Sequence, residues 1–180
     1  MDVYYGLLLV VCLERIGELV VAKRHTAWSM ARGGVEAGRG HYPVMVVLHI
    51  GLLAGCLIEP IAAHRTFVPL LGWPMIGLVL AAQALRWWCI SELGTQWNTR
   101  VIVVPGLPLV RSGPYRWFNH PNYVAVVVEG FALPLAGSAW ITACTFTCLN
   151  AALLTVRLRC EIRALSAVAG SAQATSPAAA

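Results

Sequence analysis

Four apolar stretches, residues 3–22, 42–58, 67–90 and 123–158, leave this chain little choice of solvent. A run of about 18 or more apolar residues matches the hydrocarbon thickness of a bilayer. A soluble domain with 58% hydrophobic and 12% charged residues would lack polar surface. The chain therefore reads as an all-α integral membrane protein. Segment 3–22 can span although it holds Glu14, Arg15 and Glu18, 42–58 is short but clean, and 67–90 spans with some tilt. Residues 123–158 exceed one crossing, and Pro134 with Gly137 near the middle predicts two helices joined by a tight turn. The total is about five spans plus a short C-terminal helix, in a single bundle over residues 1–165. Residues 166–180 carry Ala, Ser and Gly without periodicity and are expected to be disordered. Segment 3–22 lacks a basic n-region and a following small-residue cleavage site, so it reads as a span rather than a leader.

The net charge of +5 matters through its placement. Lys23, Arg24, Arg32 and Arg39 fall in the first connection, Arg100, Arg111 and Arg116 in the third, and Arg157, Arg159 and Arg163 at the C-terminal end. The second connection holds only Arg65, and the turn near Gly137 holds none. By the positive-inside rule this predicts an N-terminus outside and a C-terminus in the cytoplasm of a bacterial-type inner membrane. Trp73 and Trp140 then mark the outer interface, and Trp87, Trp88 and Trp117 the inner one. The basic excess serves orientation; no nucleic-acid partner is expected.

Polar chemistry collects between residues 91 and 122, the longest connection between spans. Its VIVV run (101–104), the turn PGLP and the run LVRSG predict a short hairpin with Gly106 in the turn. This element reads either as a lid over the bundle mouth or as an amphipathic connector. It leads into GPYRWFNHPNY (113–123) and a membrane-grade helix bearing one acid, Glu129. Capping accounts for Asn119 as N-cap and Pro121 in the first turn. It does not account for Tyr115, Arg116, His120 and Asn122 crowding one helix entrance, because polar backbone at membrane depth is tolerated only when buried or lining a cavity.

At 100° per residue, Asn122, Glu129 and Ala136 share a narrow arc, and Asn150, Leu154, Arg157 and Glu161 form a second stripe on the last span. Acids inside spans face a cavity or a partner, and Glu129 has no basic residue within a turn on its own helix. Glu14, Arg15 and Glu18 share a face of the first span and read as a bundle-stabilising network, with a substrate-facing role as the alternative. His41 and His49, eight residues apart, cannot easily share a metal, and His25 and His64 read as loop residues. The six cysteines lack CxxC spacing and read as small buried hydrophobes, so no metal site is expected.

LGTQW (93–97), GPYRWFNHPNY (113–123), Glu129 and RLRCEIRAL (157–165), in this order around a helical hairpin, resemble the isoprenylcysteine carboxyl methyltransferase family. The first half, with ERIGELVVAKRH, GGVEAG and HYPVMVVLH, resembles a bacterial subgroup associated with type III polyketide synthases, which methylates alkylpyrones or alkylresorcinols. The resemblance implies S-adenosylmethionine (SAM) as cofactor, held near the cytoplasmic side by Tyr115, His120, Pro121, Tyr123, Arg157 and Glu161, with Gly113, Arg116 and Asn122 as neighbours in the same motif. It implies a lipophilic acceptor entering from the bilayer. Asn119, Glu129 and Asn150 are the expected acceptor-side residues, and Glu129, then His120, the expected bases. One departure stands out: the family usually places Arg before the His–Pro pair, where this chain has Asn119. A neutral enol or phenol acceptor suits Asn119 better than a prenylcysteine carboxylate does, and Arg116 is a possible substitute for the missing Arg. The leading reading is thus a SAM-dependent O-methyltransferase. The alternatives are a phospholipid N-methyltransferase, a NADPH-dependent sterol-type reductase and a non-enzymatic membrane scaffold.

Overall fold

The computed structural model describes the backbone of residues 1–174 and side chains through residue 166. Five helices carry the chain: α1 (Asp2–Met30), α2 (His41–Ala62), α3 (Pro69–Leu93), α4 (Pro121–Ala136) and α5 (Trp140–Ala174). Three contain stretches long and apolar enough to cross a membrane, at His41–Ala62, Pro69–Gln96 and Trp140–Ser166. The other two deviate for separate reasons. The 29 residues of α1 reach about 43 Å at 1.5 Å per residue, but Glu14, Arg15 and Glu18 interrupt its apolar character. The 16 residues of α4 reach only about 24 Å, short of the roughly 30 Å core. The molecule is an all-α membrane protein.

Helix starts and stops follow local chemistry. Pro69 and Pro121 occupy first turns, where a missing N–H costs no intrahelical bond. The predicted turn forms between α4 and α5: Ala136 ends α4, Gly137 caps it, and Ser138 takes a positive φ of 58° before α5 begins. The C-terminal helix is not separate from the last span. It is the continuation of α5, with Ile162 and Leu165 on its inner side lining a cavity. Residues 175–180, the remainder of the expected tail, lie outside the described residues.

The core gathers Tyr4, Leu8 and Val11 of α1, Leu52 and Cys56 of α2, Ile76 and Val79 of α3, Leu133 of α4 and Phe146 of α5. Tyr4 is fully buried and donates its hydroxyl to the Cys56 carbonyl at 2.8 Å. Small residues allow the helices to close in: a Cβ on Gly130 would lie 2.1 Å from the Phe146 ring, and one on Gly137 2.3 Å from Tyr4 Cζ. Not all cysteines are buried; Cys144 and Cys148 lie on the outward face of α5, where a bilayer replaces the protein interior as apolar surroundings.

The expected hairpin takes a different partner. Val101–Val103 forms a strand, β2, but pairs antiparallel with β1 (Val35–Ala37) of the first connection, with Glu36 opposite Ile102. The turn after β2 is present, with Gly106 at φ 81° and Leu107 N–H reaching the Val104 carbonyl. Pro105 and Pro108 flank that turn and have no N–H to donate, so the following LVRSG run is a poor ladder partner. The VEA segment offers a free edge and, through Glu36, a carboxylate for Arg100 at 3.1 Å. This pairing brings the first and third basic connections to one face. The second connection and the α4–α5 turn meet on the opposite face, where Ser138 Oγ donates to the Thr66 carbonyl at 3.2 Å.

Candidate active site

A cavity of about 850 Å³ opens on the strand-bearing face between the α4 entrance, α5 and β2. Tyr115, Arg116, Asn119, His120, Asn122, Tyr123, Arg157 and Glu161 all line it. Two of the expected cofactor residues, Gly113 and Pro121, are not on its wall, and local backbone geometry accounts for both. Gly113 takes φ 53° and lies so near Glu92 that a Cβ would sit 2.5 Å from its Cγ, so a side chain is excluded twice over. Pro121 is buried at the first turn of α4. The cap reading of Asn119 does not hold: the N-cap position belongs to His120, without a side-chain capping bond. Asn119 is left to the cavity wall.

The centre of the site is a braced quartet from α4 and α5. The His120 and Tyr123 rings stack at 5.4 Å and 10°. Tyr123 Oη donates to Glu161 Oε2 at 2.5 Å and accepts from Arg157 Nε at 3.1 Å. Glu161 Oε1 lies 3.7 Å from His120 Nδ1. Arg157 is only 8% exposed, and its Nη2 donates to the Thr99 carbonyl at 2.6 Å, which ties α5 to the connection before β2. One hydroxyl thus bridges an acid and a guanidinium, with little rotational freedom left in any of the three. Tyr115, in the 3-10 turn Gly113–Arg116, stays a neutral hydroxyl: burial raises the phenol pKa well above its usual value, reinforced by Cys89 beside it.

Glu129 goes elsewhere. Two turns into α4, it is 5% exposed and accepts from the buried Arg86 of α3, with Arg15 of α1 at 3.3 Å. The absence of a cation near Glu129 was true only along its own helix; neighbouring helices supply two. Arg15 also pairs with Glu18 at 2.8 Å and with Gln83 at 2.9 Å, while Gln83 donates to Glu14. The network expected of Glu14, Arg15 and Glu18 therefore exists, and it extends to Gln83, Arg86 and Glu129. Of the expected acceptor residues, only Asn119 reaches the cavity. Glu129 lines a separate void of about 20 Å³ with Arg15, His49 and Arg86. Asn150 is buried on α5 about two turns before Arg157, the first residue of that helix on the cavity wall, and its Oδ1 has no partner among the described residues.

Sequence reasoning missed Gln83 and Arg86, although two polar residues one turn apart inside an apolar span are a signal for a buried partner. It also missed Asn98, Arg100 and Arg111 on the cavity wall. His25 is no loop residue: it lies in α1, with Nδ1 2.9 Å from the Trp97 carbonyl.

Does this cavity suit SAM? Its volume falls in the range of small-molecule and cofactor sites. Around it stand a carboxylate for an ammonium or ribose hydroxyls, cations for a carboxylate, and aromatic faces for a base. Trp97 Nε1, Asn98 Nδ2 and Asn122 Oδ1, all on wall residues, are buried without protein partners among the described residues. The donor set fits the cofactor.

The fold and cavity define a multi-helix membrane protein with a polar, cofactor-sized cavity at one face. The chain belongs to the isoprenylcysteine carboxyl methyltransferase family, whose model matches residues 75–167, and it is thus a membrane methyltransferase of a family that uses SAM. The matched region holds α4 and all of the braced quartet. The chain is 36% identical over 163 residues to the uncharacterized protein YpbQ of Bacillus subtilis (strain 168), covering 90% of this chain and 96% of that protein. It is 25% identical over 155 residues to an uncharacterized protein of Haemophilus influenzae, covering 84% and 88%. No solved structure matches.

Proposed function

We propose that this protein transfers the methyl group of SAM to an oxygen of a lipophilic enol or phenol, of alkylpyrone or alkylresorcinol type. The observation that carries this reading is the convergence of His120 and Tyr123 with Arg157 and Glu161 on one cavity, beside the apolar wall of Ile162, Leu165 and Val110. The cofactor supplies an electrophilic methyl on a sulfonium. Glu161 and Arg157 would hold its charged end, and Tyr123, bonded to both, fixes their separation. With the cofactor bound, the stacked imidazole of His120 would take the acceptor proton while the methyl passes from sulfur to the acceptor oxygen, the methyl–sulfur bond breaking to leave a neutral thioether, S-adenosylhomocysteine. His120 lies at the cavity and Glu129 does not, so His120 is the preferred base. Asn119, in place of the Arg usual in the family, supports a neutral acceptor over a carboxylate. The inner-membrane location with the cavity on the cytoplasmic side belongs to the same proposal, on the strength of the basic connections that meet there.

Membranes containing the protein should be given methyl-labelled SAM together with an alkylpyrone, an alkylresorcinol, a prenylcysteine and phosphatidylethanolamine in separate reactions. Label in the alkylpyrone or alkylresorcinol supports the proposal. Label only in the prenylcysteine or the amine refutes the acceptor class while leaving methyl transfer intact.

A further inference from the structure

The rim of the cavity carries a second arrangement, apart from the quartet of His120, Tyr123, Arg157 and Glu161. Trp117 and Phe118 are 64% and 54% exposed at the end of the 3-10 turn. Trp88 of α3 meets Trp117 edge-on at 5.9 Å. None of these three rings lines the cavity. Arg111 and Arg116 both stand on the cavity wall, and neither has a carboxylate within ion-pair distance among the described residues. Arg116 instead rests against Trp117, 5.7 Å from the ring centroid. One acid, Glu92, accepts from Ser112 Oγ at 2.6 Å and Trp88 Nε1 at 3.2 Å and forms no ion pair with either arginine.

Exposed aromatic rings of this kind settle at the headgroup level of a bilayer, where one edge is wet and the face is apolar. Guanidinium groups bind phosphate diester oxygens in a fork geometry, and two without acid partners at a membrane surface attract anionic lipid. We propose that the rim is a headgroup site for an anionic phospholipid, with its phosphodiester between Arg111 and Arg116 and its glycerol and upper acyl chains on Trp88, Trp117 and Phe118. A lipid is favoured over the acceptor's own anion because the aromatic platform lies outside the cavity while the arginines stand at its edge. A bound headgroup therefore borders the reaction chamber without filling it.

Detergent-solubilised full chain, incubated with equimolar phosphatidylglycerol and phosphatidylcholine, should be read by native mass spectrometry. The wild type is expected to retain phosphatidylglycerol preferentially. R111Q/R116Q should retain one phosphatidylglycerol fewer, its affinity reduced roughly ten- to thirtyfold. R65Q, on the opposite face, should retain the wild-type number. If the double variant does not fold, R111Q alone should weaken retention about fivefold. Equal retention of the two lipids by the wild type, or an undiminished preference in R111Q/R116Q or R111Q, overturns the site.

Discussion

Replacing Arg86 by Met tests the buried network at its most committed member. Arg86 is 5% exposed, donates to Glu129 Oε2, and holds its Nε 3.6 Å from Glu18 Oε1. Its loss leaves two buried carboxylates to share Arg15, which already serves Glu18 at 2.8 Å and Glu129 at 3.3 Å. Breaking a buried pair by removing one partner costs about 3–5 kcal/mol, because the remaining charge stays desolvated. For a chain of this size each kcal/mol moves the midpoint by about 2–4 °C, so the variant should melt roughly 6–20 °C lower. The assay is a thermal scan in detergent followed by size exclusion. Glu129→Gln relieves the stranded charge, so R86M/E129Q should recover part of the loss, with a coupling of about 0.5–3 kcal/mol. Glu129→Gln alone separates the two roles argued for this acid: a lowered midpoint with normal turnover per folded molecule makes it structural. Wild-type melting of R86M, or strict additivity in the double variant, would refute the reasoning. A loss of turnover in Glu129→Gln of about 10²–10⁴-fold, with melting unchanged, would restore the acid as a base.

His120→Ala and Glu161→Ala should each weaken SAM binding about ten- to hundredfold, measured by calorimetry, while the protein still folds; unchanged affinity in both removes the cofactor assignment. Reporter tags at the C-terminus and within residues 31–40 should both read cytoplasmic, and a tag within residues 62–66 the opposite side; a cytoplasmic report from the last would overturn the orientation. Gly137→Ala places a Cβ 2.3 Å from Tyr4 Cζ, whose hydroxyl is anchored on Cys56, and should cost about 1–3 kcal/mol of stability, seen as a lower melting temperature.

The sequence alone determined the solvent, the helices and one side of the site. Apolar length forces the chain into a bilayer, and continuous apolar runs, in place of the short alternating segments of a barrel, select helices, which satisfy their backbone groups within each segment. Helical periodicity is equally local, which is why Asn122 and Glu129 on α4, and Arg157 and Glu161 on α5, could be assigned inward stripes before any partner was known. The GPYRWFNHPNY loop stood out because Tyr115, Arg116, His120 and Asn122 at one membrane helix entrance exceed what helix capping requires. Tertiary structure decided everything that depends on which stripe meets which. Glu129 is isolated along its helix yet paired in space with Arg86 and Arg15. The strand Val101–Val103 left its sequence neighbour for Val35–Ala37, more than sixty residues earlier. Charge and backbone pairing act over a few ångströms, without regard to sequence separation. An acid's role therefore becomes readable only once the neighbouring helices are in place.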